Sequence, residues 1–333
     1  MNLKNKKILV TGGAGFMGSH LVDALIKNDC CVRVIDNLTY GKYENLIQHE
    51  ENNNFKFILG DITKSHQVAE AIEGIDIVFH LACLGVRHSL KHPYENHKVN
   101  AGGTLIVLQE AYKKGVEKFI YCSSSEVYGT AEYVPMPESH PTFPCTVYGS
   151  SKLAGEAYSR AYYKTYGFKT IIVRPFNTFG PRSHYEGDAG EMIPKSIVRA
   201  LNGEPILIFG DGTQTRDFTY VTDIVNALIE SVECDEMTGL TLNIGSNFEI
   251  SIKQIAKKIL DLTESSSSST NYVKSRPGDV FRLYADVNAF YNLTNWKPKV
   301  SFDKGLQKTI QWFKSVPQGI KSLLEKEKGI NWE

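Results

Sequence analysis

No apolar run in this sequence approaches the ~20 residues of a membrane-spanning helix, so no membrane partner is expected. Charge of one sign is equally missing. Lys plus Arg and Asp plus Glu both number 37, a formal net charge of zero, which removes the electrostatic case for nucleic acid or an anionic lipid surface. Cysteine is sparse, with Cys30, Cys31, Cys83, Cys122, Cys145 and Cys234 as the full set. None stands in a C-x-x-C pair and several fall in apolar strand-like runs. The expectation is therefore reduced, buried thiols in a cytoplasmic protein rather than disulfides. The nine histidines have no metal-ligand spacing, and no metal site is expected. Residues 1–7 are polar and basic and lead straight into an apolar segment. They lack the separate apolar stretch and cleavage site of a signal peptide.

Hydrophobic content of 42% and charged content of 22% over 333 residues suit one large or two modest globular domains with a real core. Strand-like runs at 7–11, 31–36, 55–60, 75–81, 118–123 and 169–175 alternate with helical stretches at 18–28, 66–73, 99–113 and 148–166. Such alternation predicts an α/β fold on a parallel sheet covered on both faces, with right-handed crossovers. After Asn177 glycine, proline and polar turns become frequent, as in Gly180-Pro181-Arg182 and Gly210-Asp211-Gly212, and the elements shorten. The expected organisation is a first domain over 1–177 and a smaller lobe over 178–333, with segments that interleave. The serine run 265–269 reads as a surface loop.

Thr11-Gly12-Gly13-Ala14-Gly15-Phe16-Met17-Gly18 carries the clearest chemistry. It follows the apolar Ile8-Leu9-Val10 and precedes Leu21, Val22, Leu25 and Ile26, spaced like the inner face of a helix. A glycine turn from strand to helix is where a dinucleotide pyrophosphate needs close backbone approach and free N–H groups. The next strand ends in Asp36, about 20 residues on, where a carboxylate can hold an adenosine ribose.

Tyr148-Gly149-Ser150-Ser151-Lys152 is the second signal. Positions i and i+4 share one helix face. The ammonium then favours phenolate, lowers the tyrosine pKa and completes an acid/base pair; it can also bond a nicotinamide ribose. Alone this is a helix-surface pair, but downstream of a dinucleotide turn it reads as catalytic. In Tyr121-Cys122-Ser123-Ser124-Ser125-Glu126 a buried strand runs into three hydroxyls and a carboxylate. Ligands of open α/β sheets bind beyond the carboxyl ends of the strands, so these side chains point at a substrate.

Together these residues resemble the extended short-chain dehydrogenase/reductase superfamily, in its nucleotide-sugar epimerase/dehydratase branch. The resemblance runs from the glycine turn to about Trp312, through Asp36-Asn37, Gly60-Asp61-Ile62, His80-Leu81-Ala82, Asn100 and the serine strand end. It continues through Tyr148/Lys152, Arg174-Pro175-Phe176-Asn177, Arg216-Asp217-Phe218 and Arg276-Pro277-Gly278-Asp279. It implies a Rossmann-like doubly wound parallel sheet with a smaller C-terminal α/β lobe for a nucleotide-sugar, UDP-sugar first, and NAD as cofactor. Gly12, Gly15, Phe16, Met17 and Gly18 would meet the pyrophosphate, with Asp36 and Asn37 at the adenosine ribose. The Asp36 charge would repel a 2′-phosphate, which favours NAD over NADP. Asp61 and Ile62 would flank the adenine, and Leu81, Ala82, Asn100, Ser123 and Pro175 would line the cofactor path. Ser124 would bond the sugar O4 and Tyr148 would be the base. Asn177, Arg216 and Arg276 would contact the diphosphate and Asp279 its ribose, with Ser125, Glu126 and Glu191 at the substrate and Arg282 as a further helper. Guanidinium forks suit a diphosphate. The resemblance also implies a homodimer through a four-helix bundle of residues 100–113 and 148–166, the latter carrying Tyr158, Tyr162, Tyr163 and Tyr166.

The shared first step is oxidation at sugar C4, after which the branch divides. Glu126 is similar to its counterpart in dehydratases and UDP-glucuronate decarboxylases. Glucose-nucleotide dehydratases carry an aspartate where this chain has Ser125, although GDP-mannose dehydratases pair a serine with this glutamate. Arg282-Leu283-Tyr284-Ala285-Asp286 looks like the epimerases, whereas Glu191 stands where UDP-galactose 4-epimerases have an amide. The expected function is a UDP-sugar 4-epimerase. Alternatives are a 4,6-dehydratase using Glu126 as C5 base, a UDP-glucuronate decarboxylase and a non-catalytic NAD-binding sensor. Residues 84–90, 126–128 and 184–194 would shape the sugar pocket.

Overall fold

A computed structural model describes residues 3–264 and 269–332. The serine run from 265 to 268 lies outside the described residues. Six strands of the first half, β1 (Lys7–Thr11), β2 (Cys31–Asp36), β3 (Phe55–Leu59), β4 (Ile77–His80), β5 (Lys118–Cys122) and β6 (Thr170–Pro175), lie in the order β3-β2-β1-β4-β5-β6. All pair in parallel. The order reverses between β1 and β4, which opens a crevice at their carboxyl ends. Alternate residues of β1 explain the continuous apolar run. Ile8 and Val10 pack on one face with Leu21, Leu25, Ile224 and Leu228, and Leu9 on the other with Val78, Val107 and Phe119.

The two halves of the chain interleave. Thr241–Ile244 adds a seventh strand beside β6, in parallel. The helix Val221–Glu233, with Phe290 and Trp296, packs into the core of the same sheet. The rest of the second half forms a lobe around Phe179, Ile197, Ile208, Ile255 and Leu306. Its sheet joins Asn177–Phe179, Thr215–Tyr220, Glu249–Ser251 and Arg282–Leu283, and Ile206–Phe209 pairs separately with Thr270–Val273.

Two helical details position the site. The helix Val147–Tyr166 starts at Thr146, whose Oγ1 accepts from the Gly149 N–H at 3.2 Å. Small residues on its buried face let it lie against β5; a Cβ on Gly155 would meet the Tyr121 hydroxyl at 2.3 Å. The expected helix 99–113 is instead a π-turn over Lys98–Gly103 followed by an α-helix over Thr104–Lys113. Two short helices not foreseen, Val86–Lys91 and Pro93–His97, precede it.

Candidate functional site

The glycine turn folds tightly beneath the crevice. Gly12 has φ +71°, and a Cβ there would lie 2.7 Å from the Cα of Ala82. A Cβ on Gly18 would lie 2.1 Å from the Gly12 carbonyl oxygen. Gly15 caps the helix Phe16–Lys27 without a side-chain acceptor, so the first-turn N–H groups remain free for an anion. Asp36, at the end of β2, accepts from the N–H groups of Ala14 at 3.0 Å and Leu38 at 2.8 Å. Burial raises its pKa, and these two bonds oppose the rise.

Below the crevice a buried histidine ties β1 to β4. The Thr104 hydroxyl donates to the Asn100 carbonyl at 2.5 Å, so His80 Nε2–H donates to Thr104 Oγ1 at 2.9 Å. Nδ1 then accepts from the Thr11 hydroxyl at 2.7 Å. Thr11 Oγ1 in turn accepts from the N–H groups of Leu81 and Ala82, each at 3.2 Å. The π-turn is thereby fixed to the floor of the site.

At the end of β5, Ser124 Oγ accepts from the Glu126 N–H at 3.2 Å and also hydrogen-bonds Tyr148. Burial raises the Tyr148 pKa well above the ordinary phenol value, while the bond to Ser124 opposes it. Lys152 does not reverse this. Its ammonium donates to the Cys122 carbonyl at 2.8 Å and stands 5.9 Å from the Tyr148 ring centre. The expected lowering of the tyrosine pKa by Lys152 is therefore overridden by desolvation. Glu126 is buried, and its Oε2 has no hydrogen-bond partner among the described residues.

Facing this cluster, Asp279 Oδ1 accepts from Arg216 Nη2 at 3.0 Å and from Arg276 Nη2 at 2.5 Å. One carboxylate thus holds two guanidiniums together, and Arg216 is fixed further by its Nη1, which donates to the Thr215 carbonyl at 2.8 Å. Arg87, on the helix Val86–Lys91, stands close enough to Arg276, Glu191, Asp279 and Glu126 to feel their charges. Burial, and then Arg276, pushes its pKa down to about 10. Burial pushes Glu191 up to about 7, against the pull of Arg87.

The glycine turn, Asp36, Ser124, Glu126, Tyr148, the Arg216–Asp279–Arg276 cluster, Arg87 and Glu191 line one cavity of about 490 Å³ between the crevice and the second lobe. Every residue expected at the site lines it except Lys152, Asn100 and Arg282. Lys152 is buried beneath Tyr148 and bound to a β5 carbonyl. Asn100 spends its amide on Leu84, accepting from its N–H at 2.8 Å and donating to its carbonyl at 2.9 Å. It shapes the loop after β4 and does not itself line the cavity. Arg282 forks onto Glu249 at 2.6 and 2.7 Å. Sequence reasoning missed Arg87, Tyr40, Phe209 and Trp332, which also line the cavity. Arg87 falls in the window 84–90 singled out for pocket shape; the others carry no local signal. Tyr40 donates its hydroxyl to Asp188 at 2.7 Å, so the loop through Asp188 crosses the crevice.

This geometry suits a dinucleotide, with a turn only glycine can make, an uncapped helix N-terminus above it and a carboxylate at the next strand end. The GDP-mannose 4,6-dehydratase family matches residues 9–309. The chain is 36% identical over 321 residues to the dTDP-D-glucose 4,6-dehydratase of Mus musculus, covering 93% of this chain and 89% of that one. Among solved structures, an epimerase from Methanothermobacter thermautotrophicus matches with a TM-score of 0.91 at 34% identity, covering 96% of this chain and 95% of that one. A UDP-glucuronic acid 4-epimerase from Bacillus cereus, in complex with UDP-glucuronic acid and NAD, matches with a TM-score of 0.87 at 33% identity, covering 95% and 99%.

Proposed function

This chain belongs to the GDP-mannose 4,6-dehydratase family, within the nucleotide-sugar epimerases and dehydratases of the extended short-chain dehydrogenases/reductases, and from that premise we propose that it is an NAD-dependent UDP-sugar 4-epimerase. NAD, when bound, supplies the acceptor and returning donor of the C4 hydride and a positive ring that favours phenolate. Gly12, Gly15 and Gly18 let the backbone approach its pyrophosphate, and Asp36 faces its adenosine ribose. Arg216 and Arg276, joined by Asp279, hold the substrate diphosphate beside Asn177. Tyr148 takes the O4 proton and later returns it, with Ser124 orienting both oxygens. Lys152 acts on Tyr148 by charge, and Asn100 acts by fixing Leu84.

The observation that favours epimerisation over dehydration of the glucose-nucleotide type is Ser125, a buried hydroxyl in the cavity beside Glu126 where those dehydratases carry an aspartate; the GDP-mannose dehydratases, which pair a serine with this glutamate, remain the dehydratase alternative. Expelling a C6 hydroxyl calls for a general acid, and an alcohol is a poor one. The dehydratase reading is favoured by the unpartnered Glu126 Oε2, which is free to take a C5 proton. The hydrogen-bonded Ser124 and Tyr148 count against a sensor without turnover. A cytoplasmic homodimer completes the reading. Leu105, Tyr112 and Tyr166 are exposed on the helices Thr104–Lys113 and Val147–Tyr166, which supports a bundle there.

Incubation with NAD and UDP-glucose, UDP-N-acetylglucosamine or UDP-glucuronic acid, followed by mass spectrometry and chromatography, tests the reading. A stereoisomer of equal mass is expected. Loss of water moves the assignment to a 4,6-dehydratase, and loss of carbon dioxide to a decarboxylase. Tyr148→Phe is expected to lower turnover by roughly 10²–10⁴-fold, the usual range for an acid/base group; wild-type turnover in that variant would remove Tyr148 from the chemistry.

A further inference from the structure

Residues 327–332 leave the helix Ile320–Lys326 without regular structure, yet they are bonded along their length. Glu327 Oε2 accepts from Arg199 Nη1 at 2.8 Å. Lys195 donates to the carbonyls of Lys328 at 2.5 Å and Gly329 at 2.8 Å. Asn331, almost wholly buried, donates to the carbonyls of Gly190 at 2.9 Å and Gly187 at 3.1 Å. Both Lys195 and Arg199 stand on the helix Met192–Leu201. The segment is therefore held against the same helix and loop that carry Glu191. Its last described residue, Trp332, meets Phe209 edge to face, with ring centres 4.4 Å apart, and both rings line the cavity.

The location narrows what these rings face. Gln214 donates to the Phe209 carbonyl at 2.8 Å and lies two residues before Arg216 in the chain. The aromatic pair and the Arg216–Asp279–Arg276 cluster thus line the same cavity, with Gln214 bridging the two segments of chain. A nucleoside diphosphate sugar held by its phosphates on those arginines places the sugar on one side and the base on the other. Ser124, Glu126 and Tyr148 already occupy the sugar side. Phe209 and Trp332 offer what a base needs, an apolar aromatic surface inside a partly buried cavity.

We infer that residues 327–332 form part of the substrate site, with Trp332 and Phe209 as the wall that receives the planar base of a nucleoside diphosphate. The inference rests on the nucleotide-sugar reading above. Stacking on one aromatic side chain corresponds to roughly tenfold in affinity. Pyrophosphate has no base to stack on the wall, so it reports the arginine cluster separately.

Calorimetric titration of the full chain with UDP and with inorganic pyrophosphate, in wild type, Trp332→Ala and Trp332→Phe, tests the wall. The expected result is UDP binding roughly tenfold weaker in Trp332→Ala, pyrophosphate binding unchanged, and most of the UDP affinity restored in Trp332→Phe. Unchanged UDP affinity in Trp332→Ala, or an equal loss of UDP and pyrophosphate affinity, overturns the inference and leaves the nucleotide-sugar reading standing. Wild-type protein that does not bind UDP overturns that reading and the wall with it.

Discussion

Lys152 lies one helical turn after Tyr148, yet its ammonium bonds the Cys122 carbonyl at 2.8 Å and stands 5.9 Å from the Tyr148 ring centre. In the proposed mechanism it acts on the phenol through space. Burial first, and then the neighbouring Cys83, hold the Tyr148 pKa far up, against the bond to Ser124, and a positive charge nearby favours the phenolate. A base must be deprotonated, so turnover is expected to rise with pH toward the tyrosine pKa. Lys152→Met removes the charge, raises that pKa further and shifts the rising limb of kcat/KM to higher pH. At neutral pH the loss is expected to be roughly a hundredfold, within the range of acid/base effects. A pH–rate profile with an unmoved limb would show that Lys152 serves only to hold β5.

Arg87 gives a second, separable expectation. Its guanidinium lies in the cavity near Glu126, Glu191 and the Arg276–Asp279 pair. With a pKa pushed down only to about 10, it is charged at neutral pH. A hydrogen bond to a charged group contributes about 1.5–3 kcal/mol. Arg87→Ala is therefore expected to raise KM for the nucleotide-sugar by roughly 10–100-fold, with kcat and NAD affinity little changed. Equal KM in the variant and the wild type would place Arg87 outside the substrate contacts.

What could be read from the sequence was set locally. The glycine turn, Asp36 at the next strand end and the face shared by Tyr148 and Lys152 all follow from periodicity over a few residues. β1 and β2 have the expected bounds because β1 is an apolar run buried on both sides after Lys7, β2 alternates buried valines with half-buried residues, and a turn closes each. What was missed depends on distant partners. The direction of the Lys152 side chain is decided by a carbonyl on β5, and that of Asn100 by the backbone of Leu84. Thr241–Ile244 joins the central sheet only because β6 offers a free edge. Trp332 reaches the cavity through bonds from Lys195 and Asn331 that no local pattern announces. The reaction type hangs on Ser125 and Glu126, whose side chains are compatible with more than one outcome until a sugar lies between them and Tyr148.

The buried His80 sets a pH dependence of stability rather than of catalysis. Its ordinary pKa of 6.5 is pushed down to about 3 by burial and then by the Lys152 charge, so it is neutral in the folded protein. The unfolded chain takes up a proton on His80 below pH 6.5 and the folded protein does not, so this contribution is complete above pH 6.5 and is lost as pH falls toward 3. Asp217 works the other way. Burial pushes its carboxyl up to about 6, so the folded state binds its proton first and gains stability as pH falls below 6. Comparing wild type with His80→Gln cancels the Asp217 contribution. Urea unfolding from pH 7 to pH 4 is expected to show the wild-type advantage shrinking by about 1.4 kcal/mol per pH unit once below pH 6.5. A difference that stays constant across that range would mean that His80 is protonated inside the fold, and that Thr11 and Thr104 hold an imidazolium.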